Sequence, residues 1–147
     1  MNKLPSTTQR VPMHTCPKIN TDIRNRAIAE VYTIQDDPNA VNQKIAQLNA
    51  EWDTERVLEL GAGSLAVLGT VMGFRSRWWF LLAGFAGIFL LQHALQGWSP
   101  SLPLMRKAGV RTAEEIHNEK TALKVLRNDF AQNTGDPKQL MAMVEQQ

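Results

Sequence analysis

From Val57 to Trp98 the chain is apolar apart from Glu59, Arg75, Arg77 and His93, while residues 1–56 and 99–147 mix polar and apolar positions and hold nearly all the charge. Segment 78–98 runs for twenty-one residues without Asp, Glu, Lys or Arg. At 1.5 Å rise per residue it extends roughly 30 Å, the thickness of a bilayer's hydrocarbon core. Nine of its residues are Leu, Ile or Phe, which favours insertion by about 3–5 kcal/mol. The partner segment "VLELGAGSLAVLGTVMGF" at 57–74 is shorter and less apolar. Only Arg75, Ser76 and Arg77 lie between the two, so the spans must run antiparallel with both outer ends on one side. The pattern predicts an all-α chain: a two-helix transmembrane hairpin over 57–98, with amphipathic helical arms on the side of the termini.

The arms show helical periodicity. In 38–56, Val41, Ile45, Leu48 and Trp52 recur at spacings of four, three and four. Asp37 suits an N-cap and Pro38 a first turn, and no proline interrupts the run, so this helix is expected to continue into the first span with "GAG" at 61–63 as its weakest turn. Upstream, Ile19, Ile23, Ala27, Glu30 or Val31, and Ile34 predict a helix over about 17–34 that ends at "QDDP". Residues 1–16, with Pro12 and Pro17 around them, read as an extended tail. The first arm thus covers 17–56 and the second 99–147. In the second arm Pro100, Pro103 and Gly109 take the chain out of helix. "TAEE" then offers a capping box, with Thr112 as N-cap and Glu115 three residues on. That helix is expected to reach about Gln132, with Ile116, Leu123, Leu126 and Phe130 on one face and Gly135 beyond its end. A last short helix starts at Asp136 and Pro137.

Within the hairpin, Ala62, Ala66, Gly69 and Gly73 on the first span and Ala83 and Gly87 on the second repeat at about four-residue spacing, which lets helix backbones approach closely in lipid. Their role is packing of the hairpin on itself, contact between protomers, or both. Taking Ser76 as the centre of the turn, Glu59 and His93 are each seventeen residues away and share a depth near the termini-side interface. Ionisable groups there are expensive and take partners. Glu59, Gln92, His93 and Gln96 are therefore the candidate polar cluster: a clamp at the hairpin mouth, or a site responsive to protons or small polar ligands, with the clamp favoured.

Charge refines this picture. From Asp36 to Arg56 there are five acids and two bases, and from Arg106 to Asp129 four acids and six bases, so the two arms are expected to pair, within one chain or between chains. Lys44, Arg56, Arg106, Lys107 and Arg111 on the termini side, against Arg75 and Arg77 in the turn, place both termini in the cytoplasm. Trp78 and Trp79 mark one interface and Trp98 the other. A net charge of +2 without a basic stripe argues against nucleic-acid binding. The start lacks an apolar h-region, so no cleaved signal peptide is expected. The single cysteine, Cys16, forms no internal disulfide. "HTC" at 14–16 brings no further ligands at metal spacing, and His117 reads as a solvated or hydrogen-bonded helix residue. No nucleophile elbow, P-loop, zinc-protease or dinucleotide motif occurs. No cofactor, metal or catalytic residue is expected.

The blocks "VPMHTCPKIN", "EWDTERVLEL", "LLQHALQGWSP", "GVRTAEEIHNEK" and "ALKVLRNDF" resemble the YgaP-like inner-membrane proteins over residues 11–130, in a stand-alone form without a rhodanese domain. The resemblance implies a membrane hairpin, helical flanking arms and homo-oligomerisation, and no established catalytic role. Members that couple the hairpin to a rhodanese domain transfer sulfur, but the region before this hairpin is too short and helical for one, and Cys16 sits in no such active-site loop. The family often has cysteine where this chain has Ser99, which removes a thiol from the membrane exit. The expected function is that of a non-enzymatic bacterial inner-membrane protein. It would self-associate through hairpin and arms, as a scaffold or accessory subunit with the lipid bilayer, its own copies and a membrane or cytoplasmic protein as partners. The alternatives are an oligomeric transport element for an ion or small solute, and a membrane partner of a sulfur-transfer enzyme.

Overall fold

A computed structural model of the chain describes residues 5–131 together with Lys138 and Met141. Every regular element among them is a helix: α1 (Arg10–Met13), α2 (Pro17–Ile34), α3 (Pro38–Ala50), α4 (Thr54–Gly73), α5 (Trp79–Gln96), α6 (Leu102–Lys107) and α7 (Ala113–Leu126). The antiparallel pair α4 and α5 is long and apolar enough to cross a membrane, and the remaining helices gather at its open end.

The first arm does not run straight into the membrane. Glu51 takes an extended conformation after α3, and Asp53 caps α4, its carboxylate accepting the Arg56 N–H at 2.8 Å. Thr54, fully buried, donates both its N–H and its hydroxyl to the Arg111 carbonyl, at 2.8 and 2.9 Å. The break falls outside the bilayer, where side chains satisfy the freed backbone groups. Gly61 and Gly63 stay helical, since in hydrocarbon an unwound turn would leave its N–H and C=O groups without partners. Trp52 consequently leaves the α3 face and lies exposed under the Arg56 guanidinium, 4.3 Å from the ring centre.

Close approach of the spans depends on two glycines. A Cβ on Gly69 would lie 2.7 Å from the Ala83 nitrogen and 2.9 Å from the Trp79 oxygen, while one on Gly73 would first meet the Phe80 ring, at 2.6 Å. Ala62, Ala66 and Ala83 are partly buried along the same seam. Gly87 is not part of it: it is exposed, with nothing within 4 Å of an added Cβ, because α5 presents Ala86 and His93 to α4. Gly69→Ala is therefore expected to force the helices apart and destabilise the hairpin by about 1–3 kcal/mol, the usual cost of overpacking. Gly73→Ala should cost less, since a ring can swing where a backbone cannot. Thermal unfolding in detergent, with spin-label distances across the hairpin, checks that order; a Gly73→Ala penalty above that of Gly69→Ala would contradict this packing.

Outside the membrane, α2, α3 and α7 enclose a small core of Val41, Ile45, Leu48, Ile116 and Leu123, with Val31 and Ile34 against it. The sequence caps α3 and α7. Asp37 accepts the Asn39 N–H at 2.9 Å ahead of Pro38, and Thr112 and Glu115 form the reciprocal capping box. α7 stops earlier than its periodicity suggests. Asn128 adopts φ 70°, and the Asn128 and Asp129 N–H groups bond to Val125 and Lys124 carbonyls. This is a Schellman closure with asparagine in the position glycine usually takes. Leu126 and Phe130, beyond or at that end, stay largely exposed and outside the core. Gly135, Asp136 and Pro137 lie outside the described residues.

Two segments read as irregular contain helix. Residues 10–13 form α1, which docks with Val11 and Thr15 buried. Pro103 opens α6 within its first turn, where a missing N–H is harmless. Elements of four and six residues are too short to show a period.

Candidate functional site at the hairpin mouth

α5 closes on Gly97, at φ 75°, whose N–H bonds to the His93 carbonyl at 2.7 Å. The backbone of Arg10 rests directly on this glycine, 2.5 Å from where a Cβ would be. From that seat the Arg10 Nη1 donates to the Ala94 carbonyl at 3.0 Å, covering a helix C-terminal acceptor, and Nη2 donates to Glu55 Oε1 at 2.8 Å. The other Glu55 oxygen lies 3.3 Å from His93 Nε2. His93 is 1 % exposed, and its Nδ1 has no hydrogen-bond partner among the described residues.

The polar cluster at the mouth is thus Arg10, Glu55 and His93. Of the expected members only His93 takes part: Glu59 and Gln96 are exposed and Gln92 is half-buried. Equal distance from the turn gave Glu59 the right depth but not the right face. One turn separates it from Glu55, and at 100° per residue the two differ by about 40° around the axis. Glu55 lies in line with the seam and also closer to the interface, where a carboxylate is cheaper. Arg10 was out of reach of sequence reasoning because its segment carries no periodic signal; its only trace is the neighbouring block "VPMHTCPKIN".

Two further clusters tie the arms to this mouth. Arg106, 1 % exposed, grips Glu115 through two hydrogen bonds of 2.7 Å and reaches the Val110 carbonyl at 3.0 Å and Asn20 Oδ1 at 2.9 Å. Asn20 in turn donates to the Pro12 carbonyl at 3.0 Å. Burial pushes the Glu115 carboxyl up, but the hydrogen bonds from Arg106 and the Thr112 N–H and the Arg106 charge outweigh it and hold the group below the ordinary carboxylate range. Arg111 pairs with both Glu51 and Glu119; burial weakens its hold on the proton, and the two carboxylates more than restore it. Lys44 bridges Glu30 at 2.6 Å and Glu119 at 3.5 Å. The acidic and basic arms therefore pair within the chain. The capping-box position of Glu115 was the one legible hint of this network.

The remaining candidates lie apart. Cys16 and His14 are exposed, and among the described residues no three His, Cys, Asp or Glu side chains are placed to hold a metal ion. His117 is exposed, 3.3 Å from the Thr121 hydroxyl. Ser99 is buried, its hydroxyl 3.2 Å from that of Ser101.

Residues 53–115 match the family model described as the transmembrane domain of YgaP-like inner membrane proteins. The match runs from the residue that caps α4 to the carboxylate that Arg106 holds. No curated protein and no solved structure matches the chain. Residues 53–115 are thus similar to a YgaP-like transmembrane domain, and with α4 and α5 the chain is a protein of the lipid bilayer.

Proposed function

We propose that this chain, similar over residues 53–115 to a YgaP-like transmembrane domain, is a non-enzymatic, two-pass protein of the bacterial inner membrane that self-associates and serves as a scaffold or accessory subunit. The observation that carries this reading is an apolar groove of about 860 Å³ between α2 and α7, outside the membrane. Ile28 and Tyr32 on one wall and Val125 and Leu126 on the other are all exposed. Arg111, Glu115 and Glu119, which also line it, are tied to one another or to Arg106 and Glu51, so the walls are pre-organised. A groove of this kind suits the apolar face of a helix.

Other features support the same reading. Gly63, Gly84 and Gly87 face away from the hairpin seam, with nothing within 4 Å of an added Cβ. Each costs about 1 kcal/mol of helix propensity relative to alanine, a cost that close contact with a second hairpin offsets. Arg10 ties α1 to Glu55 and to the Ala94 carbonyl at the mouth, which favours fastening over conduction. The basic residues near the span ends favour cytoplasmic termini.

Native mass spectrometry of the protein released from nanodiscs tests the proposal. The wild type is expected as an oligomer or with a co-purifying chain, and Tyr32→Glu with Val125→Glu is expected to dissociate it while helix content by circular dichroism is unchanged. A wild type that is monomeric and alone would overturn the reading, as would an assembly indifferent to the double substitution.

A further inference from the structure

A second cleft, of about 370 Å³, opens between the termini-side ends of α4 and α5 beneath the turn that leads into α6. Gly61, Ala62, Leu65, Phe89, Leu90 and Met105 line it. Its wall on α4 begins at Val57 and ends at Leu65, roughly 5–16 Å along the axis from Thr54, which is acyl-chain depth in a bilayer that α4 crosses. The hydroxyls in the lining, Ser99 and Ser101, face each other at 3.2 Å. The cleft thus offers little to a water molecule, which needs two to four polar partners.

We propose that this cleft is a binding site for one acyl chain of a membrane phospholipid. Two observations select that occupant. The cleft is continuous with the lipid-facing surface, since Leu65 and Phe89 are both exposed at its edge. Its volume is also spread over about 12 Å of helix, which leaves a cross-section of about 30 Å². That admits a single hydrocarbon chain lying along the helices. Left empty, the cleft would forfeit dispersion contacts along both spans; a chain lying in it restores them and fills the space under α6.

Gly61 gives a clean test. An added Cβ there meets nothing within 4 Å, and leaving glycine raises helix propensity, so larger residues fill the cleft without breaking the fold. In vesicles of phosphatidylglycerol and phosphatidylethanolamine, a phospholipid spin-labelled near the headgroup end of its acyl chain is expected to show a motionally restricted component. That component should shrink with Gly61→Ala and fall to the level of ordinary boundary lipid with Gly61→Leu, while helix content is kept. A label at the methyl end should not distinguish wild type from variant. An equal restricted component in all three proteins would overturn the proposal. So would loss of an oligomer in Gly61→Leu, by native mass spectrometry, with the lipid signal unchanged, because the cleft would then hold a side chain of a second copy.

Discussion

Arg106→Ala is expected to destabilise the extramembrane cap by about 3–5 kcal/mol, the range for removing one partner of a buried, hydrogen-bonded ion pair. The side chain joins three parts of the molecule: Glu115 at the start of α7, Asn20 on α2, and the Val110 carbonyl in the loop between α6 and α7. Without it the Glu115 carboxylate keeps the Thr112 N–H at 2.8 Å but loses its counter-charge, and Asn20 loses its donor. Arg106→Lys should recover only part of the loss, because an ammonium cannot make the paired bonds of a planar guanidinium. Arg106→Met combined with Glu115→Gln should be milder than Arg106→Ala, since no charge is then left buried and glutamine still serves the capping box. Denaturation in mild detergent followed by circular dichroism measures the series. A stable Arg106→Ala protein would show that the clasp is incidental.

The same clasp sets an acid limit. Glu115 titrates below its ordinary range in the folded protein, so the folded state binds that proton less readily than the unfolded chain. Its contribution is complete at neutral pH and is lost as the pH falls below the unfolded value toward the folded one. In Glu115→Gln this part of the acid sensitivity should be absent.

Gly97→Ala carries the second large effect. The φ of 75° costs a side-chain-bearing residue about 1–2 kcal/mol, and the new methyl would lie 2.5 Å from the Arg10 backbone. α1 must then lift, which gives up the Arg10 bonds to Ala94 and Glu55. Tryptic cleavage after Arg10 is the readout and should accelerate strongly. Gly97→Asn separates the two causes, because asparagine tolerates the left-handed conformation but still collides with Arg10. Both variants should expose the cleavage site. Wild-type protection in Gly97→Asn would mean that backbone strain, not the seat, holds α1; unchanged cleavage in Gly97→Ala would remove the seat altogether.

These predictions centre on positions that sequence reasoning valued differently. Gly97 reads as a border residue of the second span and Arg106 as one orientation charge among several. Gly69 and Gly73 were legible as packing positions, because small residues at four-residue spacing let helix backbones approach closely; that they face α5 came from the structure. So were Asp37 and Thr112, whose caps depend on neighbours two or three residues away. The five core residues of the arms were legible from period alone, whereas Trp52, Leu126 and Phe130 were misplaced. For Trp52, Asp53 ends the run by capping the next helix. For Phe130, Asn128 closes α7 in a conformation more often signalled by glycine.

By itself the sequence determined the membrane hairpin, its antiparallel sense, the approximate depth of its polar groups and the capped helices on either side. Those properties are sums over neighbouring residues: transfer free energy adds along a segment, and helix periodicity and capping are local. Only the tertiary structure decided which charges meet. Arg10 and Glu55 are 45 residues apart, Arg111 and Glu51 are 60, and Arg106 and Asn20 are 86. Such pairings depend on where separate elements dock and on rotations of 100° per residue, so an error of one helical turn exchanges Glu59 for Glu55. A buried ion pair forms only within about 4 Å, and no local pattern along the chain specifies distances that short.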